Sequence, residues 1–496
     1  MILEGFQSIL NLSDLFIIFI GVALGILVGS LPGLTSTMTI ALLLPFSFGL
    51  SPVASILLMV SVFIGGTFGG SIAAITLNIP GTPAAAATIF DGYPLAQQGQ
   101  IGKALSIASV ASFTGGMIST ICLMLFSPWL ANIALNFSAG EFLALAVFGL
   151  SIIASVSGEN VLKGLLAACL GLLIAVIGMD PVTAFPRYTF GTYSLMNGIN
   201  LIPALIGLFG VSQVLLFIEK NSSTLNRVVT DFKIKLISLK ETLQLSVTMI
   251  RSGIIGTFIG AIPGAGADIA AFVSYNEAKR WSKDKSKFGK GEYKGIAAPE
   301  SGNNGVTGGT MIPLLTLGIP GDAAAAVMLG AFLIHGLQPG PLLFVNNGDL
   351  VYGLFAGMII ANVCMLVLGL LLVRYFAKII KLDTKVLMPI ILVLCAIGSF
   401  AMNNSMFDVY VLLIFGVIGY FMTKLSIPIS PLILGIILGP MIEENFRRAM
   451  ILNEGSLAFL YERPITLIFL LLTLFAVLSS FWSSFKRNRL NNGKTI

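Results

Sequence analysis

Long apolar runs dominate the chain, and several approach the roughly 20 residues that a helix needs to cross a bilayer. Such runs lie at residues 15–31 and near 103–127, 140–156, 161–179 and 199–218. The alternating segments of about 10 residues that are typical of membrane β-barrels are absent. The pattern therefore predicts an all-α polytopic membrane protein.

Four of the apolar segments are interrupted by a Pro-Gly pair: Pro32-Gly33, Pro80-Gly81, Pro263-Gly264 and Pro320-Gly321. The stretch 299–328 is also too polar, and too rich in glycine and proline, for an ordinary membrane-spanning helix. Backbone that is not helical is tolerated at membrane depth only where it is buried in protein or lines a wet cavity. These broken or re-entrant helices are therefore predicted to handle a solute or an ion.

The interruptions belong to an internal repeat. The segment from Gly25 to Gly33 matches the segment from Gly256 to Gly264 in spacing and in its closing Pro-Gly pair. Further along, 65–69 matches 305–309 in a Gly-x-Thr-x-Gly pattern, and 76–81 matches 316–321 in its Ile-Pro-Gly ending. Two halves with broken apolar segments in corresponding places are typical of secondary transporters whose site lies between the repeats.

The charge pattern predicts that the two repeats are inverted. Only 10% of the 496 residues are charged against 56% hydrophobic, and the net charge is +6. The loop 279–294 is strongly basic, whereas its counterpart at 49–52 has no basic residue. Because basic loops stay in the cytoplasm, the loop 279–294 and the C-terminus are predicted to be cytoplasmic and the N-terminus to lie outside.

This organisation gives four predicted units. They are a first transmembrane repeat, a basic inter-repeat connection, a second transmembrane repeat, and a C-terminal transmembrane helix with a basic tail, at residues 1–218, 219–251, 252–463 and 464–496.

Each Pro-Gly break precedes a new helix, whose free N–H groups and positive dipole end favour an anion. A carboxylate at membrane depth would need such compensation. Hydroxyl and amide side chains near the breaks add hydrogen-bond donors, although helix capping is the alternative interpretation. The predicted substrate-binding residues are Pro32, Gly33, Leu34, Thr35, Ser36, Thr37, Asn78, Pro80, Gly81, Thr82, Gly264, Ala265, Gly266, Asn303, Asn304 and Gly321.

Asp268, Glu300 and Asp322 are the candidates for ion coupling. Carboxylates beside unwound carbonyl groups suit Na⁺, and a buried carboxyl group can instead carry a proton. Asp322 is equally suited to cap the alanine-rich helix that follows it, and Glu300 to a structural hydrogen bond. Arg187 is interpreted as an interfacial anchor, with contact to an anionic substrate as the alternative. No cofactor other than the coupling Na⁺ or H⁺ is predicted.

The sequence contains few residues that would support other classes of function. A single histidine and four widely spaced cysteines offer no metal-ligand spacing, and no catalytic nucleophile with its base is recognisable, so no catalytic or metal residues are predicted. The basic residues form no aromatic-lined groove for nucleic acid. A passive anion channel, or a membrane assembly scaffold without transport of its own, stays open.

Several motifs together resemble the large membrane subunit of tripartite tricarboxylate transporters, the TctA family. The similarity rests on residues 29–35, 69–83, 91–94, 263–268, 299–304 and 317–321. The resemblance implies a multi-pass protein of the bacterial cytoplasmic (inner) membrane and of its lipid bilayer. It implies two partners, a small membrane subunit and an extracytoplasmic solute-binding protein. It also implies uptake of small organic carboxylate anions, of the tricarboxylate or dicarboxylate type, driven by an ion gradient.

Overall fold

The structure is a computed structural model that describes residues 5, 7, 9–31, 33–156, 161–180, 183–220, 236–371 and 384–492. Most of these residues are helical, which confirms the predicted all-α polytopic class. The strands among them are β1 (Gly178–Met179) and β2 (Pro186–Arg187), which pair antiparallel with Gly178 opposite Arg187. The predicted apolar span near 161–179 therefore ends early as a helix.

The first half of the chain contains nine described α-helices and several short 3-10 or π segments between them. The helices are α1 (Leu12–Gly29), α2 (Ser36–Ser47), α3 (Pro52–Leu77), α4 (Ala86–Leu95), α5 (Ile101–Ala134), α6 (Ala139–Val156), α7 (Val161–Ala175), α8 (Leu201–Ile206) and α9 (Ser212–Lys220).

The second half contains twelve further described helices. They are α10 (Leu239–Ala261), α11 (Gly266–Trp281), α12 (Tyr293–Gly309), α13 (Met311–Leu317), α14 (Ala323–Ile334), α15 (Pro341–Asn346), α16 (Gly348–Leu371), α17 (Thr384–Asn403), α18 (Met406–Lys424), α19 (Ile429–Leu452), α20 (Phe459–Glu462) and α21 (Pro464–Asn492). Within the described part of the basic inter-repeat connection, 219–220 and 236–251, the chain is largely helical, and its residues 221–235 lie outside the described residues.

Eight helical segments of the described residues are long and apolar enough to cross a membrane. They are Leu12–Gly29, Pro52–Leu77, Pro83–Ala134, Leu201–Glu219, Leu239–Ala261, Gly348–Leu371, Met406–Lys424 and Ile429–Leu452. Large apolar side chains such as Leu125, Trp129 and Phe258 are exposed on the outer faces of these segments. An exposed apolar belt of this kind suits lipid rather than water.

Local sequence explains where these helices begin and end. Thr35 and Asp322 cap α2 and α14 by accepting the N–H groups of Met38 and Ala325. Helices α3 and α13 both end on a residue in the left-handed region, Asn78 with φ 60° and Gly318 with φ 72°. Asparagine and glycine are the residues that reach this conformation most easily, so they stop a helix cleanly.

The same helix packing occurs in both halves. A methyl group added to Gly25 of α1 would overlap the Val62 carbonyl oxygen of α3, and one added to Gly256 of α10 would overlap the Gly302 carbonyl oxygen of α12. These pairs correspond in the sequence repeat, as do the glycine contacts of Gly29 and Gly260 one turn later. Small residues allow such close backbone approach between membrane helices. The opposite orientation of the halves across a membrane stays a prediction.

One expectation about the backbone is wrong. The stretch 299–328 is helical over most of its length, because α12 continues through Pro299 to Gly309 and α13 follows after Thr310. Non-helical backbone is confined to residues 318–322. Likewise, α3 continues through the Gly-rich segment 65–70 without interruption. Glycine in these helices therefore serves close packing, not unwinding.

Candidate functional site

All four Pro-Gly breaks meet at one cavity of about 560 Å³, which we call the central cavity. Each break contributes the start of the helix that follows it. The residues concerned are Thr35, Ser36 and Thr37 from the first break, Thr82, Pro83 and Ala84 from the second, Gly264 to Ile269 from the third, and Asp322, Ala323 and Ala324 from the fourth. The structure thus brings together segments that are up to 290 residues apart in the sequence.

Helix starts therefore surround this cavity from both halves. Helices α2, α11 and α14 begin at Ser36, Gly266 and Ala323, and a 3-10 turn at Pro83 leads into α4. The first turn of a helix leaves N–H groups without partners inside the helix, and its dipole end carries partial positive charge. This arrangement can stabilise a carboxylate that has lost its water shell.

The first half contributes mainly hydroxyl groups to the cavity. Thr35, Ser36 and Thr37 lie in one turn at the start of α2, and the Thr35 hydroxyl accepts the Met38 N–H group at 3.2 Å. Thr82 is 8% exposed, and its hydroxyl oxygen has no hydrogen-bond partner among the described residues. A buried hydroxyl without a partner is costly, which favours a ligand or water contact at this position.

The second half contributes the acidic residues and an amide. Asp268 lies in the first turn of α11 and is exposed to the cavity. Asp322 accepts the Ala325 N–H group at 2.8 Å and lies 3.4 Å from the Thr310 hydroxyl, which donates to it. Asn303 is 1% exposed and donates its Nδ2 to the Thr67 carbonyl at 3.3 Å. Its Oδ1 has no partner among the described residues, so an oxygen ligand remains available.

Glu300 and Asn304 do not line the central cavity. Glu300 is fully buried between helices, where its carboxylate accepts hydrogen bonds from Thr88 of α4 and from Ser112 of α5, the latter at 3.1 Å. Asn304 is also fully buried and donates to the Glu300 carbonyl at 3.3 Å. The environment of Glu300 thus matches the structural alternative that the sequence left open.

The remaining predicted site residues shape the backbone around the cavity without lining it. The Gly321 carbonyl accepts the Gly264 N–H group at 2.7 Å, and the Gly81 N–H group donates to the Gly70 carbonyl at 3.3 Å. Asn78 is exposed at the end of α3. Gly33, Leu34 and Pro80 stand in the turns at the breaks, and Pro32 lies outside the described residues.

Several cavity residues escaped the sequence analysis. Phe63 and Thr67 of α3 line the cavity, with Thr67 beside Asn303. Further lining residues are Phe209, Gln213, Pro428 and Ser430. Gln213 is a polar residue inside the apolar segment 199–218, and that contrast was the one available signal. The others lie in ordinary helical or loop sequence, where only the packing decides which way a side chain faces.

The cavity is lined by groups that can bind charged and polar ligands. Among the residues that the structure describes, no group of three or more histidine, cysteine, aspartate or glutamate side chains is placed to hold a metal. The cavity offers N–H groups, hydroxyls, two carboxylates and the amide groups of Asn303 and Gln213. Such a set can hold an organic anion on its donors and a cation on its oxygens at the same time.

Comparison with known proteins places this geometry in context. A sequence profile of the family described as "Tripartite tricarboxylate transporter TctA family" matches residues 15–434. A protein of Agrobacterium vitis described as "Uncharacterized 52.8 kDa protein in TAR-I ttuC' 3'region" is 37% identical over 488 residues, which cover 98% of this chain and 96% of that protein. A second protein of Agrobacterium vitis, "Uncharacterized protein in TAR-II ttuC' 3'region", is 37% identical over 234 residues, 47% of this chain and 97% of its own length. No solved structure matches this chain.

Proposed function

We propose a transport mechanism for this chain, which belongs to the tripartite tricarboxylate transporter TctA family. In our proposal it is the large permease subunit of an importer of organic di- or tricarboxylates in the bacterial cytoplasmic membrane. An extracytoplasmic solute-binding protein delivers the anion, and a small membrane subunit completes the assembly. A gradient of Na⁺ or H⁺ drives uptake.

The observation that carries the proposal is the meeting of four helix breaks at one cavity. Several helix starts directed at a common space supply the backbone N–H groups that a dehydrated carboxylate needs. A scaffold without transport of its own would gain nothing from such a cavity. Family membership implies other subunits but leaves the substrate and the ion unassigned.

Within the cavity we assign the substrate anion and the coupling ion to different sides. The substrate carboxylates bind the hydroxyl-rich starts of α2 and α4, near Thr35, Ser36, Thr37 and Thr82. The coupling ion binds Asp268 and Asp322, with the Oδ1 of Asn303 as a further oxygen ligand. Because Glu300 is held by Thr88 and Ser112 away from the cavity, we assign it a structural role.

The test is uptake into proteoliposomes that contain this subunit, the small membrane subunit and the binding protein. A radiolabelled tricarboxylate is supplied with an imposed Na⁺ gradient, an imposed proton gradient, or neither. We expect accumulation above the external concentration with one gradient, and none when the binding protein is left out. Equal flux without any gradient would instead establish the passive channel and overturn the proposal.

A further inference from the structure

A second cavity, of about 760 Å³, lies along the same helices as the central cavity. Its wall includes the later turns of α14 and α19, at Leu329, Leu333 and Ile436 to Asn445. The central cavity instead touches the starts of these helices, at Asp322 to Ala324 and at Ile429 to Leu434. Each helix therefore runs from one cavity to the other, so the two cavities lie in series.

The segment 199–213, which contains α8 and the start of α9, runs in the opposite direction, from the second cavity to the central cavity. Ile199 and Leu201, at the start of α8, line the second cavity, whereas Phe209 and Gln213 line the central one. Helices α8, α14 and α19 also contact one another in pairs. Between the cavities α8 and α14 present small and apolar side chains that are 0–1% exposed, namely Ala325, Ala326, Val327, Met328, Leu205 and Ile206. We call this layer the septum.

The order of residues along α12 and α13 gives the position of each cavity across the membrane, measured from the basic loop. These helices rise from the basic loop at Tyr293, pass the central cavity at Asn303 and reach the second cavity at Leu317. At about 1.5 Å per residue, Asn303 lies ~15 Å and Leu317 ~36 Å from the start of α12 along the axis. The second cavity is therefore farther from the basic loop, and the positive-inside rule places it on the extracytoplasmic side.

The central cavity approaches the opposite side of the membrane. It is lined by Gln213 in the first turn of α9, which runs on from there to Glu219 in its last turn, and by Pro428 just before α19. The same region contains the ion pair of Lys424 with Glu219 and the contact of Lys163 with the Leu425 carbonyl. This concentration of lysines marks the cytoplasmic ends of these helices.

A network of four charges holds the rim of the second cavity together. Arg187 of β2 pairs with Glu443 of α19 at 2.7 Å, and Arg447 pairs with Asp180 at 2.7 Å and with Glu443 at 2.8 Å. The formal charges of these four side chains cancel, and the neighbouring Glu444 adds one negative charge to the lining of the cavity. The Nε of Arg187 is a buried donor without an acceptor among the described residues.

We propose that the second cavity is the extracytoplasmic mouth of the substrate path and that the septum closes it from the central cavity. The structure then represents the inward-facing state, and the network between the β1–β2 loop and α19 stabilises the closed outer side. The inference rests on the proposed transport function for the identity of the anion. Its geometry can be tested without any transport.

The experiment measures modification of single cysteines by a membrane-impermeant thiosulfonate in sealed right-side-out and inside-out vesicles. The full assembly is used, and Cys122, Cys169, Cys364 and Cys395 are first replaced by serine. Gln338→Cys reports on the second cavity and Ser430→Cys on the central cavity. We expect the first to react from the extracytoplasmic side and the second from the cytoplasmic side. Reaction of both from the same side would overturn the proposal.

A second measurement tests the network. Glu443→Gln removes one carboxylate that both Arg187 and Arg447 use. We expect the modification rate of Ser430→Cys from the extracytoplasmic side to rise several-fold in this background, because the outer side opens more often. The matched control, Glu444→Gln, alters a neighbouring acid that also lines the cavity and should leave the rate unchanged. An unchanged rate in Glu443→Gln would refute the network's role. Opposite-sided labelling without gradient-driven uptake would refute only the proposed function.

Discussion

The two sides of the central cavity have related backbones and different side chains. The repeat pairs Thr37 with Asp268, Thr82 with Asp322, and Phe63 with Asn303, and all six residues line the cavity. Each half supplies two helix starts, so the two halves present similar numbers of free backbone N–H groups to the cavity. The carboxylates come from the second half alone, whereas the first half contributes hydroxyl groups, two phenyl rings and the Gln213 amide.

This difference teaches how one duplicated framework can hold two unlike ligands. Helix starts attract an anion on either side, but two carboxylates beside them repel it and attract a cation. In our proposal an anion is therefore held against the first half, with a cation between it and the second half. The cation would offset the carboxylates, and this would couple the two binding events.

The largest effect is expected from removing a negative charge from the part of the central cavity that the second half lines. Asp322→Asn keeps a good helix cap for α14 but removes the carboxylate, so its effect reports on charge and not on capping. We expect a loss of about 3 kcal/mol in ion-driven binding, which corresponds to a ~100-fold lower uptake at a fixed ion concentration. Uptake into proteoliposomes as a function of ion concentration measures it.

Thr82→Val is the matched variant on the other side, because Thr82 is the repeat partner of Asp322. It removes a hydroxyl without changing the side-chain shape greatly. We expect a ~10-fold weaker apparent substrate affinity, in line with about 1.4 kcal/mol for one buried hydrogen bond, with the ion dependence intact. If Thr82→Val altered ion dependence and Asp322→Asn only substrate affinity, the assignment of the two sides would be reversed.

An effect on stability should be shared equally by both halves. Gly25→Ala and Gly256→Ala each direct a methyl group at a carbonyl oxygen of the neighbouring helix, which cannot rotate away as a side chain could. Overpacking of this kind costs about 1–3 kcal/mol. Thermal unfolding of the purified subunit in detergent should show similar decreases in the midpoint for both variants.

Gly348→Ala serves as the control, because an added methyl group there meets nothing within 4 Å. Its midpoint should stay that of the unmodified protein. A large decrease for Gly25→Ala with none for Gly256→Ala would show that the halves do not pack alike, and the pairing of cavity residues between them would lose its basis.

The sequence predicted the breaks well because Pro-Gly pairs and left-handed caps act locally. The direction of each side chain was harder to predict, since it depends on packing between distant helices. Asn303 and Asn304 are neighbours on α12, but successive residues point about 100° apart. Asn304 therefore lies on the face of Glu300, one turn away, which packs against α4 and α5, and only Asn303 reaches the cavity.

The helical course of 299–309 was missed for a related reason. Proline and several glycines oppose a helix in isolation. Here the glycines match close neighbours on α10 and α5, such as Gly253 and Ser119, so the helix is favoured by packing that the sequence alone does not reveal. The membrane adds to this preference, since an unwound segment would leave N–H and C=O groups unsatisfied.

The last predicted effect concerns a feature that only the second half has, the basic loop 279–294. One oxygen of the fully buried Asp91 carboxylate accepts the N–H groups of residues 289–292 at 2.8–3.1 Å, and the other accepts the Tyr275 hydroxyl at 2.9 Å. The loop of the second half is thus held by a first-half side chain, from the middle of α4.

Asp91→Asn keeps an acceptor for the loop but loses the charge, so we expect the loop to be held less tightly by about 1.5 kcal/mol, which is ~10-fold in the population of the released form. Trypsin cleavage at Lys287 and Lys290 should accelerate by a similar factor. Tyr275→Phe removes only one donor and leaves the four loop contacts in place, so cleavage should change much less. Equal acceleration in both variants would mean that the hydrogen bond from Tyr275, and not those from the N–H groups of residues 289–292, holds the loop against the first half.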